Sequence, residues 1–426
     1  MTAAHDSLAD IEAANPFLGN RLGIPDVPAI IAADPADAAG AGGGASGRAI
    51  VVTFADGQRN HFHHQWLRQC CYCDECGNPA DGIRFSTVIT VAPDAAPDTI
   101  DVVDGDLHLT WTDGHRSVHA ADWLRHHAYD GDAAERRRSF RPTTWRAELA
   151  DQFPTVDWAD AADGAVGHLR VLQLLRDHGI VQIADMGPDP ARTEALAALV
   201  GPIHETTVYG RIYDVRAEPV AKLGAKTGMA QAVHIDDAFA YSQPGIDIFH
   251  CLVNTVVGGM STYVDGFAIA EAIRTDEPQA FKLLTTVPIS HIRRHPGEID
   301  MRNRGPLISL DEFGELSGIS YFDRTLAPLD CAPHLIEPMY DAIRSFNRRM
   351  VDPAFVAEVR VPAGNGMLID NHRVMHGRTA FDPSAGRHIR LCHVPRDEFH
   401  GRLRELSRHL DPAHHDLHLP QGSTLS

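Results

Sequence analysis

Short apolar runs punctuated by Asp-Gly pairs mark the early part of the chain. "AIVVTFADGQRNHFHHQWLRQCCYCDECG" and "IDVVDGDLHLTWTDGHRSVHAADWLRHH" each read as strand-like segments joined by tight turns, a small β module. The period then changes. In "GAVGHLRVLQLLRDHGIVQIADM" apolar residues recur three and four apart up to Leu175, which predicts a helix stopped at Gly179 and followed by a strand. From about residue 205 to 270, and again from 357 to 396, the pattern is strand-like. "DEPQAFKLLTTV" and "PHLIEPMYDAIRSFNRRM", which lie between those blocks, read as helices. Strand blocks around a helical insertion point to a mainly β fold, an antiparallel barrel or jelly roll, and not to a βαβ sheet.

Composition divides this pattern into segments. Residues 1–48 end in "DPADAAGAGGGASGRA", a Gly/Ala-rich run expected to be a flexible tail. Residues 49–135 form the small β module, closed by the polar connector "AYDGDAAERRRSFRPTTW". Residues 136–400 hold the larger unit, and 401–426 are expected to be a second tail.

The formal charge of −19 argues against nucleic acid as a partner, because phosphate binding needs clustered Lys and Arg. No run of 18 apolar residues occurs, so a membrane span is not expected. The N-terminus has early acids and no basic start before an apolar stretch, unlike a secretory signal. Cys251, Cys331 and Cys392 are scattered, which fits a reducing compartment and a cytoplasmic protein.

The other four cysteines crowd into "QCCYCDECG". Cys71, Cys73 and Cys76 are spaced to converge on one ion, and zinc favours four such ligands in a tetrahedron. His115, at the turn in "WTDGHRS", is a candidate fourth ligand. His61, His63, His64 and Cys70 compete for that place on spacing alone, and a cluster of reduced buried cysteines is the alternative. Four protein ligands leave no open position, so such a zinc would staple a small domain.

A second constellation starts at His234-Ile235-Asp236. On a strand, residues i and i+2 share a face, so imidazole and carboxylate can chelate one cation. Far along, "GNGMLIDNHRVMHGRTAFDPSAGRHIRLCHV" supplies His376 and, beyond it, Arg387. Two histidines and a carboxylate leave three positions free, which is the facial triad of non-haem Fe(II) oxygenases.

With these residues in place, the chain resembles the Fe(II)/2-oxoglutarate-dependent dioxygenases related to γ-butyrobetaine hydroxylase and trimethyllysine dioxygenase, and more distantly taurine dioxygenase. The resemblance covers roughly residues 49 to 396. It rests on "WLRQCCYCDEC", "WTDGHRS", "VYGRIYDV", "HIDDAFAYSQPGI", "HCLVNTVVGGMSTYVDGF" and "NHRVMHGRTAFDP…RHIRLCHV". It implies a double-stranded β-helix (jelly-roll) catalytic domain behind a small N-terminal zinc-binding β domain, with His115 as the fourth zinc ligand. It implies that His234, Asp236 and His376 hold iron, and that Arg387 pairs with the distal carboxylate of 2-oxoglutarate, a task suited to a planar guanidinium. Arg390 is the fallback for Arg387, but on an alternating strand the two face opposite ways. Ser261 stands where relatives place a hydroxyl on that carboxylate, although Met260 replaces the usual aspartate beside it. The implied reaction is hydroxylation of an unactivated C–H of a small molecule by O2, with release of succinate and CO2. A homodimer is implied by analogy.

The substrate side departs from the betaine-hydroxylating pattern. Those relatives hold a trimethylammonium group among aromatic rings. Tyr209 and Tyr213 keep two of these positions, but Lys226 and His393 replace the other two aromatics, and Leu223 replaces an asparagine. Only three of the 38 basic residues are lysine. A lysine about 4 Å from a fixed cation would cost roughly 4 kcal/mol at an effective dielectric near 20. Lys226 therefore reads as the anchor of an anionic or neutral polar substrate, with Arg324 a helper, or else as a solvated loop lysine. Two rival functions stand beside the hydroxylase of a small polar metabolite: hydroxylation of γ-butyrobetaine itself, and a zinc-stapled barrel that binds a small ligand without turnover.

Overall fold

The computed structural model describes residues 20–36, 47–77, 83–131, 140–206, 209–216, 227–295, 297–384 and 386–411. They fall into two compact units, with the division between Phe140 and Arg141 and the described residues from Leu406 grouped with the first. No helix among the described residues is long and apolar enough to cross a membrane.

The first unit carries two three-stranded antiparallel sheets. One is made of β1 (Ile30–Pro35), β2 (Ala49–Phe54) and β3 (Arg59–His63), the other of β4 (Pro97–Val103), β5 (Asp106–Trp111) and β6 (Arg116–His119). The Asp-Gly expectation holds at the β4–β5 turn: Asp104 and Gly105 have φ of 53° and 86°, the left-handed pair of a tight hairpin. Ile50, Phe62, Leu67, Leu107, Trp111 and Leu124 belong to one buried core. The strand β1 falls within the segment expected to be a tail, because Ile30 is buried and pairs with Phe54.

In the second unit the remaining strands are β7 (Thr155–Asp157), β8 (Ile180–Ala184), β9 (Tyr213–Arg216), β10 (Gln231–His234), β11 (Ile246–Asn254), β12 (Ser261–Asp265), β13 (Ile289–His295), β14 (Ile299–Gly305), β15 (Ile308–Leu310), β16 (Leu316–Ile319), β17 (Ala357–Val359), β18 (Gly366–Asp370), β19 (Val374–Arg378) and β20 (Arg387–Val394). A six-stranded sheet runs β7-β8-β18-β11-β20-β9 and a four-stranded one β10-β19-β12-β17; β13–β14 and β15–β16 are separate hairpins. All pairings are antiparallel except β7 with β8. Ile180, Cys251, Met367 and Ile389 of the larger sheet share one core with Tyr263, Ala357 and Val374 of the smaller, so the two sheets form a sandwich of jelly-roll type.

The strand alternation decides which residues face that interior. On β12 and β19, Tyr263 and Val374 belong to the inner core, whereas Val264 and Met375 pack outward against the helices Gly266–Asp276, Pro278–Thr286 and Ile336–Met350. With a period of two, His376 then points inward. Val233 packs outward in the same way, which turns His234 inward.

Two expectations need correction. The strand-like reading to residue 270 misses the helix Gly266–Asp276, whose start is fixed by Asp265 accepting a hydrogen bond from the Phe267 amide; an N-cap aspartate ends the strand there. The expected tail from 401 begins inside the helix Arg396–Leu410, because Phe399, Leu403 and Leu406 recur at helical spacing and are buried. The helix at Gly164–His178 does end on Gly179, with φ of 71°, a left-handed cap that favours glycine.

Candidate functional site

In the first unit the Sγ atoms of Cys71, Cys73 and Cys76 lie 3.3, 3.6 and 3.5 Å from His115 Nε2. A tetrahedral ion with ordinary zinc–sulfur and zinc–nitrogen bonds sets that edge at about 3.6 Å. The His115 Nδ1 faces Glu75 at 3.3 Å, so Nε2 is left to bind, and burial lowers the pKa of the ring. Its rivals are otherwise engaged or absent from the cluster: His61 pairs with Asp130, His63 with the Tyr129 hydroxyl, and neither Cys70 nor His64 joins the group.

In the second unit β10 and β19 are adjacent, and His234 and His376 are register partners. Gly377 permits this approach, since a Cβ there would meet the Gln231 carbonyl oxygen at 2.5 Å. Donor atoms of His234, Asp236 and His376 all lie within 4.8 Å of one another. His234 Nε2 is 3.2 Å from Asp236 Oδ1, and His376 Nε2 is 3.8 Å from Asp236 Oδ2. Adjacent positions on a six-coordinate ion are about 3 Å apart, so a modest closure would seat all three.

The surroundings prepare these ligands. His234 Nδ1 donates to the Ala232 carbonyl at 3.0 Å, which leaves Nε2 for a metal. Burial pushes the His376 pKa down to about 4, so the ring is neutral and keeps a lone pair to offer. Burial opposes the charge on Asp236, yet His376 and His234 hold its carboxyl well below the usual range, and it stays ionised. The backbone of Asp236 is clamped by the fully buried Asn371, whose Oδ1 accepts from the Asp236 amide at 2.8 Å while Nδ2 donates to the Asp236 carbonyl at 3.0 Å. Phe322 lies against His234, with ring centroids 4.4 Å apart.

Asp247 on β11 completes the support. Its Oδ1 accepts from His393 Nδ1 at 2.8 Å, and its Oδ2 is 3.7 Å from His376 Nδ1. Both of the latter atoms are buried without a hydrogen-bond partner. Asp236, Asp247 and His393 form a second, overlapping donor group, but Asp247 and His393 are already committed to each other.

The triad opens into a cavity of about 450 Å³ that is also lined by Tyr209, Tyr213, Ser261, Arg324 and Arg387. On β20, Arg387, Ile389 and Leu391 face the cavity, whereas Arg390 turns away and donates to the Pro190 carbonyl. The Arg387 Nε is buried and has no hydrogen-bond partner, and no ion pair involves this residue among the described residues. Tyr263 hydrogen-bonds Ser261 and lies close enough to Arg387 to feel its charge, although burial pushes its phenol up to about 12. A half-buried guanidinium with an unpartnered Nε, in a cavity that also presents the Ser261 hydroxyl, fits the distal carboxylate of 2-oxoglutarate.

The rings of Tyr209 and Tyr213 lie 4.9 Å apart, and His393 is 6.4 Å from Tyr209. Lys226 and Leu223 lie outside the described residues. The sequence reading missed Asp247, Phe322 and Phe239, and it missed Arg293, whose Nη1 donates to the Tyr209 hydroxyl at 2.6 Å. Phe249 shows the only sort of local signal available: it sits two residues from Asp247 and Cys251 on a strand whose inward face lines the cavity.

The chain has relatives among known proteins. Residues 137–393 match the family described as taurine catabolism dioxygenase TauD, TfdA family, and residues 45–125 match a γ-butyrobetaine hydroxylase-like N-terminal family. The chain is 35% identical to a γ-butyrobetaine dioxygenase of Pseudomonas sp. (strain AK-1), over 84% of this chain and 94% of that protein. It is 30% identical to the mitochondrial trimethyllysine dioxygenase of Bos taurus, over 79% of this chain and 80% of that one. A solved asparagine oxygenase in complex with Fe(II) superposes with a TM-score of 0.44 at 15% identity, over 57% of this chain and 93% of that chain. The chain belongs to the TauD, TfdA family and is an Fe(II)/2-oxoglutarate-dependent dioxygenase.

Proposed function

We propose that His234, Asp236 and His376 hold the iron, that Arg387 with Ser261 holds the distal carboxylate of 2-oxoglutarate, and that the enzyme hydroxylates an unactivated C–H of a small polar, anionic metabolite. The observation that carries this reading is the convergence of three donor atoms within 4.8 Å at the wall of a cavity that also holds the half-buried Arg387. When bound, Fe(II) supplies the activation of O2 that couples decarboxylation of 2-oxoglutarate to oxidation of the C–H bond. One oxygen atom ends in succinate and the other in the alcohol.

The protein's own part is positioning. Asn371 and the Ala232 carbonyl fix two ligands, Asp247 supports the third, and the apolar wall of Phe249, Ile389 and Leu391 keeps bulk water from the reacting carbon. In the first unit, Cys71, Cys73, Cys76 and His115 hold a structural zinc. Their S···N edges match a closed tetrahedral site with no place for a substrate.

The second reading is hydroxylation of a trimethylammonium compound, favoured by the names of the relatives and by the paired rings of Tyr209 and Tyr213. The deciding experiment for the hydroxylase is succinate formation by anaerobically Fe(II)-loaded protein on admission of O2, with a panel of trimethylammonium compounds and anionic analogues lacking that group. His376→Ala should abolish it. Succinate formation that persists in that variant would remove His376 from the ligand set.

A further inference from the structure

We infer that Arg293 converts the aromatic end of the cavity into an oxyanion subsite, so that the substrate presents a carboxylate, sulfonate or phosphonate there in place of a quaternary ammonium. The inference rests on the hydroxylase reading above and names the substrate class of the same site.

Arg293 is on β13, in a hairpin outside both main sheets, and reaches back into the cavity. Its guanidinium carbon stands 5.5 Å from the ring centre of Tyr209 and 5.3 Å from that of Phe239. Both distances are within the range at which a ring face attracts a cation. The attraction that would draw a trimethylammonium group is thus already satisfied by the protein's own cation. That cation is also tethered by its 2.6 Å hydrogen bond to the Tyr209 hydroxyl. An incoming quaternary ammonium would have to displace it or sit beside a like charge.

The guanidinium still has donors to offer. Arg293 takes part in no ion pair among the described residues, and its hydrogen bond to Tyr209 uses one of five N–H groups. Asp237 lines the same cavity and feels the Arg293 charge, but the two form no ion pair within 4.0 Å. The charge of the wall points the same way. Arg293, Arg294, Arg324, Arg378 and Arg387 line the cavity against Asp236 and Asp237. Arg294 is spent on Asp300. The charges of Fe(II) and of dianionic 2-oxoglutarate cancel, so the excess of arginine over aspartate survives loading of the site. An oxyanion relieves that excess and a trimethylammonium adds to it. The planar fork also suits an oxyanion better than a single ammonium would.

The test is the binding of three compounds of matched shape to the anaerobic Fe(II) enzyme at saturating 2-oxoglutarate, read by calorimetry. They are γ-butyrobetaine, its carbon isostere with tert-butyl in place of trimethylammonium, and 4-sulfobutanoate, which bear positive, zero and negative charge at the same end. 4-Sulfobutanoate should bind tightest and γ-butyrobetaine weakest, with at least about tenfold between the extremes. Arg293→Met should flatten or invert the order, and Arg293→Lys should keep it. Tighter binding of γ-butyrobetaine than of its isostere by the unaltered enzyme overturns the subsite, as do equal affinities or binding of none of the three. Succinate assays on the same samples separate the two readings. An intact binding order without succinate from any compound removes the hydroxylase reading and leaves the anion subsite standing.

Discussion

Arg373 Nη2 lies 2.8 Å from Asp265 Oδ2, and the two side chains are 2% and 0% exposed. The pair ties the end of β12 to the turn that launches β19, three residues before His376. Asp265 also accepts from the Trp145 and Phe267 amides, and Arg373 donates to the Asp177 and Thr143 carbonyls. Removing one partner of a buried pair leaves the other uncompensated. Arg373→Met should therefore cost about 3–5 kcal/mol in urea unfolding. A loss under about 1 kcal/mol would mean that water replaces the guanidinium.

Asp247 supports a proposed ligand without being one. Asp247→Asn keeps the shape but weakens the carboxylate partner of His376 and His393. Fe(II) affinity should fall by about 10–100-fold, measured by anaerobic titration, with little change in the unfolding midpoint. Unaltered iron affinity would limit Asp247 to packing.

Arg387 and Arg390 occupy one strand but opposite faces, which makes them a matched pair for mutation. Arg387→Lys loses the planar fork, and the apparent KM for 2-oxoglutarate should rise by about 10–100-fold. Arg390→Lys should leave it within about twofold, since its guanidinium serves a surface carbonyl. Equal effects would undo the assignment of Arg387.

Zinc removal is the test of the first unit. A strong chelator or Cys73→Ser should abolish its cooperative unfolding transition, followed by metal analysis alongside calorimetry. Purified protein that contains no zinc and still shows the transition would leave a cluster of reduced thiols.

Acid stability follows from buried neutral histidines. Burial lowers the pKa of His291 to about 4 and of His119 to about 3, against about 6.5 in an unfolded chain. His291 Nε2 also accepts from the Phe322 amide at 3.2 Å, which requires a neutral ring. Above about pH 6.5 neither form of the protein is protonated there, and stability is full. Below it the unfolded chain takes up protons that the folded one refuses, so stability is lost as the pH falls from about 6.5 toward 4 and then 3, by up to about 1.4 kcal/mol per pH unit for each group. Urea midpoints measured against pH should fall over that window, and His291→Gln should reduce the slope. An unchanged slope in that variant would place the acid sensitivity elsewhere.

The two donor clusters were legible because each depends on local rules. Strand alternation separates Arg387 from Arg390, and close thiol spacing brings the cysteines together. His234 and Asp236 are near by sequence spacing, but β10 ends at His234 and Asp236 lies in the turn that follows, so it is not the expected alternation along one strand that pairs them. The choice of His115 needed the family resemblance, because spacing alone left His61, His63, His64 and Cys70 in contention. The helix Gly266–Asp276 was lost because its apolar residues follow a strand without a break, and only the capping role of Asp265 divides them. Arg293, Phe239, Phe322 and Asp247 were invisible for a different reason. Each meets the site through the placement of a separate hairpin, loop or neighbouring strand, and nothing in its own sequence neighbourhood records that contact.

Gly377 gives the site a property that its other residues do not share. The span between His234 and His376 is set by two backbones in contact at a position with no side chain, whereas the far wall of the cavity is built from long side chains of β13, β20 and the loops. The donor cradle and the recognition wall are therefore separable by mutation. A substitution in the wall, at Arg293 for example, would change which small molecules fit while the spacing of His234 and His376 stays constant.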